Sequence, residues 1–105
     1  MSIEGSVSQV FRPVGQGLFA QGQVRLLPDR RTVVSWVHDC GATGDPTPLR
    51  REITRARSRL GGRRYLDVLI LSHLDEDHVN GLADLLRDVR VGRVVLAETP
   101  KSPPF

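Results

Sequence analysis

The apolar run Tyr65–Leu71, followed at once by a group of histidines and acids, constrains the fold of this chain more than any other segment. A run of this length and composition predicts a buried β-strand. Beyond the polar group, apolar residues recur at helical spacing, at Leu82, Leu85, Leu86 and Val89. The polar group is therefore predicted to lie in a strand-to-helix turn, where a rigid scaffold can aim several side chains at one point.

The turn carries a dense group of ionisable side chains, namely His73, Asp75, Glu76, Asp77 and His78. Imidazole and carboxylate groups are natural ligands for a divalent metal that activates water. The acids alone would also suit the positive end of the following helix dipole, and Glu76 is expected to face solvent or to help cap that helix. A helix cap does not account for a histidine at each end of the group. The sequence therefore favours a metal site.

The remaining segments predict a mixed sheet with two helices, which is the α/β (α+β) class. Alternating or β-branched residues mark the strands, and apolar residues at helical spacing mark the helices. The predicted strands are 6–10, 23–27, 32–38, 66–71 and 93–97, and the predicted helices are 48–60 and 81–89. Asp39 follows the third strand. Strand alternation places His38 on the opposite face from Asp39, as a packing or surface residue.

Positive charge is concentrated on the first predicted helix. The chain has a formal net charge of +3, and seven arginines fall between residues 50 and 64. An apolar stripe would leave these arginines on the outer faces; it consists of Leu49, Ile53, Ala56 and Leu60. Such a face can hold a nucleic-acid backbone by releasing counterions, or it can be an ordinary solvated helix surface. No aromatic residues interleave with the arginines, so base stacking is not indicated.

Composition indicates a globular chain of the cytoplasm. Hydrophobic residues make up 39% of the chain, which is above a disordered composition, and no apolar run is long enough to cross a membrane. The segment 1–6 lacks the basic and apolar regions of a signal peptide. Cys40 is the single cysteine, which excludes an internal disulfide and fits a reducing compartment. It is predicted to be a small buried residue, with a thiolate ligand as the alternative.

Three ordered motifs resemble those of a known family. The segment His73–His78, HLDEDH, resembles the His-x-His-x-Asp-His metal motif of the metallo-β-lactamase-fold hydrolases, with Asp75 in place of the second histidine. Val14–Gly17, VGQG, resembles a motif of a subgroup that includes the nuclease-like domain of DNA-internalisation competence proteins. Asp39–Gly41, DCG, resembles the Asp-x-Gly that ends an early strand in the family. The His-x-Asp-x-Asp-His variant is typical of the same subgroup.

The resemblance implies a site with two metal ions. It assigns His73 and Asp75 to one ion and Asp77 and His78 to the other, and it makes Asp77 the catalytic residue that orients the attacking water. Asp39 is implied to orient the metal-binding loop by hydrogen bonds, a role in which it need not bind metal itself. Because an aspartate replaces an imidazole, the implied site is harder, and manganese and magnesium stand beside zinc as candidate ions.

The resemblance also implies that residues 1–98 form the first half of an αββα sandwich, followed by a proline-rich tail at 99–105. Later motifs of the family supply further histidine and aspartate ligands, whereas no histidine follows His78 in this sequence. The expected function is a metal-dependent hydrolase of the phosphodiesterase or nuclease type, inactive as this chain alone and completed by a second chain or by self-association. The alternative is a non-catalytic half-domain, either a binding or assembly module or a degenerate fragment.

Overall fold

Five strands form one sheet in chain order, with helices in the connections between its parallel strands. The computed structural model describes residues 4–72 and 76–96. The elements in that part are β1 (Gly5–Phe11), β2 (Gln16–Leu26), β3 (Arg31–Thr43), α1 (Thr47–Leu60), a 3₁₀ turn (Gly61–Arg63), β4 (Tyr65–Leu71), α2 (Glu76–Val79), α3 (Leu82–Leu85) and β5 (Arg90–Leu96). This mixed sheet with helices confirms the predicted α/β (α+β) class. None of the helices in the described part is long and apolar enough to cross a membrane.

The pairing between neighbouring strands changes once across the sheet, from antiparallel to parallel. β1, β2 and β3 are antiparallel neighbours, whereas β3, β4 and β5 run parallel. The pairing of β3 with β4 extends to His38, which lies opposite Ile70. Residues that follow the carboxyl ends of neighbouring parallel strands lie at one edge of a sheet, which is where ligand sites of such sheets usually form. Ser72 follows the end of β4, and Asp39 follows His38, the last residue of β3 that pairs with β4, so both lie at this edge.

β2 begins at Gln16, earlier than the predicted strand at 23–27, and includes Gly17 and Gly22. Its pairing with β3 runs from Gln16 to Leu26. A Cβ at Gly17 would overlap the backbone of Gly41, and a Cβ at Gly22 would overlap the indole of Trp36. Gly17 and Gly22 therefore permit close packing within the sheet.

The helix α1 covers the sheet with the predicted apolar stripe. Its apolar residues are buried in the main hydrophobic core; they are Leu49, Ile53, Ala56 and Leu60. Gly61 follows the helix with a φ of +60°, a conformation that suits glycine at a helix end. The predicted stripe and helix end are confirmed.

A buried ion pair joins α1 to the segment between β1 and β2. Arg12 is 9% exposed and Glu52 is 2% exposed, and Nη1 of Arg12 lies 3.1 Å from Oε1 of Glu52. The Arg12 guanidinium also donates to the side-chain oxygen of Gln21, whose amide in turn donates to the carbonyl of Ala56. Buried charges are stable in a core only when they are paired and hydrogen-bonded, as they are here. Sequence periodicity did not predict this network.

The helix predicted at 81–89 is shorter in the structure, since α3 ends at Leu85. Nη1 of Arg57 donates to the carbonyl oxygens of Asp84, Leu85 and Arg87, at 3.2, 2.9 and 2.7 Å. An arginine of α1 thus satisfies carbonyls that would otherwise require further helical N–H groups. A local sequence pattern does not reveal a helix end that depends on a remote side chain.

The predicted last strand is observed as β5, which lies at the edge of the sheet in the described part and exposes apolar side chains. Val94, Val95 and Leu96 are 58%, 39% and 51% exposed. Leu69 and Leu71 of β4, in contrast, are buried in the core. The residues beyond Leu96, including the predicted tail at 99–105, lie outside the described part.

Candidate metal centre

Asp39 is the extra residue of a bulge in β3. Ala20 of β2 pairs with His38, and the next residue toward the start of β2, Phe19, pairs with Cys40. The φ of Asp39 is +58°, in the left-handed region that aspartate adopts more readily than most residues. A bulge redirects a side chain relative to the regular alternation of a strand. The Asp39 side chain is completely buried.

The Asp39 carboxylate contacts both residues that flank the segment 73–77. Its Oδ1 accepts a hydrogen bond from the Ser72 backbone N–H at 2.8 Å, and its Oδ2 accepts one from the Ser72 hydroxyl. Beyond the segment, Nδ1 of His78 lies 2.8 Å from Oδ2 of Asp39. One buried carboxylate therefore fixes the points where the predicted metal loop begins and ends.

Hydrogen bonds keep Asp39 ionised in its buried position. Burial by itself raises the pKa of a carboxyl group, but the hydrogen bonds from Ser72 and His78, with the nearby His38, hold the pKa of Asp39 below its ordinary value of 3.8. Asp39 is thus a carboxylate at neutral pH and can only accept hydrogen bonds. His78 must therefore carry a proton on Nδ1, so a metal bound by His78 would be held through Nε2.

His38 lies beside the Asp39 carboxylate. Its Nε2 is buried and has no hydrogen-bond partner among the described residues, and it lies 4.0 Å from Oδ2 of Asp39. Strand alternation, which predicted that the two side chains face apart, assumes a regular strand and does not apply across the bulge. The His38 side chain is 37% exposed, so it borders the group from the solvent side.

The segment after His78 is hydrogen-bonded to the backbone of β3. The Asn80 side chain accepts from the Ala42 N–H at 2.9 Å and donates to the Ala42 carbonyl at 2.7 Å. The Gly81 N–H donates to the Cys40 carbonyl at 2.8 Å, and a Cβ at Gly81 would approach Cys40 Sγ to 2.9 Å. Glycine is therefore required for this close contact. These bonds hold the end of the predicted metal loop against the strand that carries Asp39.

Replacing Asn80 with alanine is expected to lower the free energy of unfolding by about 1–2 kcal/mol, because both hydrogen bonds to Ala42 are lost. Urea denaturation followed by circular dichroism measures the change. Ser58→Ala is the matched control, because Ser58 is exposed on α1 and its side chain has no hydrogen bond within the described residues. Equal stability of the two variants would show that the Asn80 contact is not formed in solution.

Cys40 is a buried residue of the hydrophobic core, as predicted. Burial, with the charges of Asp84 and Asp39 as smaller causes, raises the pKa of the Cys40 thiol to about 12. The thiol is therefore protonated at neutral pH, and the alternative role as a thiolate ligand is disfavoured.

Of the predicted site residues, Asp39 and His78 are described by the structure and lie in contact. His73 and Asp75 lie outside the described residues, as does the side chain of Asp77. Among the side chains that are described, no group of three or more histidines, cysteines or acids is close enough to hold a metal ion. Ser72 and Asn80 were not predicted as site residues, although the position of Ser72 between a strand and a histidine was an available signal.

Comparison of the chain with models of known families, with curated proteins and with solved structures found no match. The residues of this chain and their geometry therefore carry the functional interpretation.

Proposed function

We propose that this chain provides metal ligands of a metal-dependent hydrolase of the phosphodiesterase or nuclease type, related to the metallo-β-lactamase-fold hydrolases. The proposed ligands are His73, Asp75, Asp77 and His78. The observation that carries the proposal is the 2.8 Å contact between the buried Asp39 carboxylate and Nδ1 of His78. A metal-binding histidine typically donates its other ring N–H to a carboxylate or carbonyl, which orients the ring and raises its basicity.

The contacts of Ser72 add support. The same carboxylate that orients His78 also accepts two hydrogen bonds from Ser72, at the other flank of the segment 73–77. Fixing both flanks of a short loop reduces the conformational entropy that its residues lose on binding an ion. Asp39 is therefore proposed as a positioning residue, and Asp77 as the catalytic residue that orients the attacking water.

The proposed ligand set is suited to two ions whose sites are completed from elsewhere. A divalent metal supplies Lewis acidity and an activated water. We assign His73 and Asp75 to one ion and Asp77 and His78 to the other. Because stable sites usually have three or more protein ligands, further ligands must come from another segment, a second chain or a second copy. Zinc suits this set, and its carboxylates also suit manganese or magnesium.

The arginine-rich surface favours a phosphodiester substrate over an uncharged one. Arg50, Arg55 and Arg59 are exposed on α1, and guanidinium groups bind phosphate oxygens through two parallel hydrogen bonds. A positive surface also attracts a nucleic-acid backbone by counterion release. We place this activity in the cytoplasm, where a single cysteine remains reduced.

Zinc affinity tests the proposal. His78→Ala and Asp77→Ala are each expected to weaken zinc binding by about a hundredfold in a chelator competition assay, because each removes a ligand. Asp84→Ala is the matched control, since it removes an exposed carboxylate of the following helix. Equal zinc affinity in the wild-type chain and in the His78→Ala variant would contradict the proposal.

The same preparation is expected to hydrolyse DNA and a phosphodiester model substrate no faster than background, with zinc or manganese present, because the sites lack ligands. Turnover that survives purification and disappears in Asp77→Ala would instead show that two copies of the chain complete the site.

A second candidate function is a non-catalytic assembly module, and the exposed surface of β5 favours it. Contiguous exposed apolar residues on an edge strand are unusual for a chain that acts as a monomer. The two candidates differ in their dependence on metal, since an assembly module would associate equally well in a chelator.

We expect the chain to self-associate through β5, with a dimer or larger species that grows with concentration in light scattering. Val94→Lys should shift the population toward monomer, because a charge on an edge strand opposes strand addition. Val7→Lys is the control, as Val7 is 72% exposed on the opposite edge strand β1. A wild-type chain that remains monomeric at all concentrations would refute this expectation.

A further inference from the structure

A cleft with a strongly positive lining lies between α1 and α3, away from the candidate metal centre. Its volume is about 550 Å³, within the range of about 300–1,000 Å³ that is common for small-molecule sites. Arg64 of its lining immediately precedes β4, whereas Ser72 of the metal centre immediately follows β4. The two sites therefore lie at opposite ends of that strand.

Apolar and charged residues both contribute to the lining of this cleft. Ile53 and Leu60 are buried, and Val89 is partly buried. The charged lining consists of four guanidinium groups and one carboxylate, from Arg50, Arg57, Arg64, Arg87 and Asp84. The cleft thus combines an apolar surface with a net positive charge.

The arginines of the cleft differ in whether their side chains form hydrogen bonds within the protein. Arg57 donates to three carbonyl oxygens at the end of α3 and has a structural role. The side chains of Arg64 and Arg87 have no hydrogen bond or ion pair within the described residues. The side chain of Arg50 also has no hydrogen bond or ion pair within the described residues. Hydrogen bonds from Thr47 are the main cause of the lowered pKa of Asp45, and the charge of Arg50 is only a smaller one. Three positive side chains around one cleft therefore retain their donors for a ligand.

We propose that this cleft binds the phosphate group of a nucleoside phosphate. The planar guanidinium groups of Arg50, Arg64 and Arg87 match the oxygens of a phosphate, which they can engage in pairs of hydrogen bonds. The apolar residues accept the sugar or base, and the Asp84 carboxylate accepts a hydrogen bond from a hydroxyl or amino group. No aromatic residue lines the cleft, so stacking of a nucleic-acid strand is not the favoured mode.

Calorimetric titration of the full chain with AMP, with adenosine and with inorganic phosphate tests the proposal. The buffer contains a chelator, so the result does not depend on the proposed metal ligands. We expect AMP to bind at least about tenfold more tightly than adenosine, which lacks the phosphate, and Arg64→Gln and Arg87→Gln each to weaken AMP binding about tenfold. Both arginines are exposed, and their side chains make no hydrogen bond or ion pair within the described residues, so the variants should fold normally.

Arg59→Gln is the matched control, because Arg59 is exposed on α1 and does not line the cleft. It should leave AMP affinity within about twofold of the wild-type value. Equal affinity for AMP and adenosine would overturn the proposal, as would an equal loss in the Arg59 and Arg64 variants. A third outcome would also overturn it: the chain binds a short single-stranded oligonucleotide but not AMP, and Arg59→Gln and Arg64→Gln weaken oligonucleotide binding equally. Anion binding would then belong to the whole exposed face of α1 and not to the cleft.

Discussion

Glu52→Leu is expected to destabilise the protein by about 3–5 kcal/mol, because it leaves the buried guanidinium of Arg12 without its carboxylate. Domains of this size are typically stable by about 5–15 kcal/mol in total, so this variant should be close to unfolding. Urea denaturation monitored by circular dichroism measures the loss, and the midpoint should fall steeply while the slope stays unchanged.

Two further variants separate the buried pair from the surface charges around it. Arg55 is an exposed partner of Glu52: its side chain is 61% exposed, and its Nη1 lies 2.9 Å from Oε2 of Glu52. Arg55→Ala should lower the free energy of unfolding by less than about 1 kcal/mol. Adding Arg12→Met to Glu52→Leu removes both buried charges and should restore part of the lost stability, although Gln21 then loses a donor. A cost for Glu52→Leu no larger than for Arg55→Ala would mean that the buried pair does not form.

Local pattern was sufficient for the class of the fold, because its elements are defined by short-range periodicity. The β-branched residues before Asp39 and the apolar run before Ser72 predicted β3 and β4, and the apolar stripe predicted α1. The burial of Glu52 could not be predicted in this way, because its partner Arg12 comes from a segment forty positions earlier in the sequence. A charged residue next to an apolar stripe has the same local signature whether or not it is paired.

The candidate site, like the fold, could be predicted only in part from local sequence. A turn rich in histidine and aspartate after a strand was visible in the sequence, and so was an aspartate at the end of the preceding strand. The bulge that redirects Asp39 depends on the pairing of β3 with β2, which no local pattern specifies. The Asn80 contact depends equally on tertiary packing, because its partner Ala42 belongs to another element.

Two aspartates of the sheet have similar hydrogen bonds and yet differ in their relation to the proposed ligands. Asp39 accepts from the backbone N–H and hydroxyl of Ser72, and Asp67 accepts from the same two groups of Ser35, at 2.7 and 3.1 Å. Only Asp39 also contacts a proposed metal ligand, His78. Comparing variants of Asp39 and Asp67 therefore distinguishes an effect on folding stability from an effect on metal binding.

Asp39→Asn is expected to weaken zinc binding by about ten- to a hundredfold, and to lower the free energy of unfolding by about 1–3 kcal/mol. An amide NH₂ placed toward His78 would donate to Nδ1 instead of accepting from it. The imidazole proton would then reside on Nε2, the nitrogen that is proposed to bind the metal. Chelator competition measures the affinity, and urea denaturation of the metal-free chain measures the stability.

Asp67→Asn is the matched control, because it makes the same chemical change in a carboxylate that also accepts from a serine N–H and hydroxyl. The Asp67 side chain is 24% exposed and lies 3.7 Å from Arg63, so we expect a loss of stability no larger than that of Asp39→Asn. Zinc affinity should stay within about twofold of the wild-type value, since Asp67 contacts no proposed ligand. A loss of zinc affinity that is equal in the two variants would mean that Asp39 acts only through folding. An unchanged zinc affinity in Asp39→Asn, with His78→Ala still defective, would remove Asp39 from the metal centre and leave His78 in it.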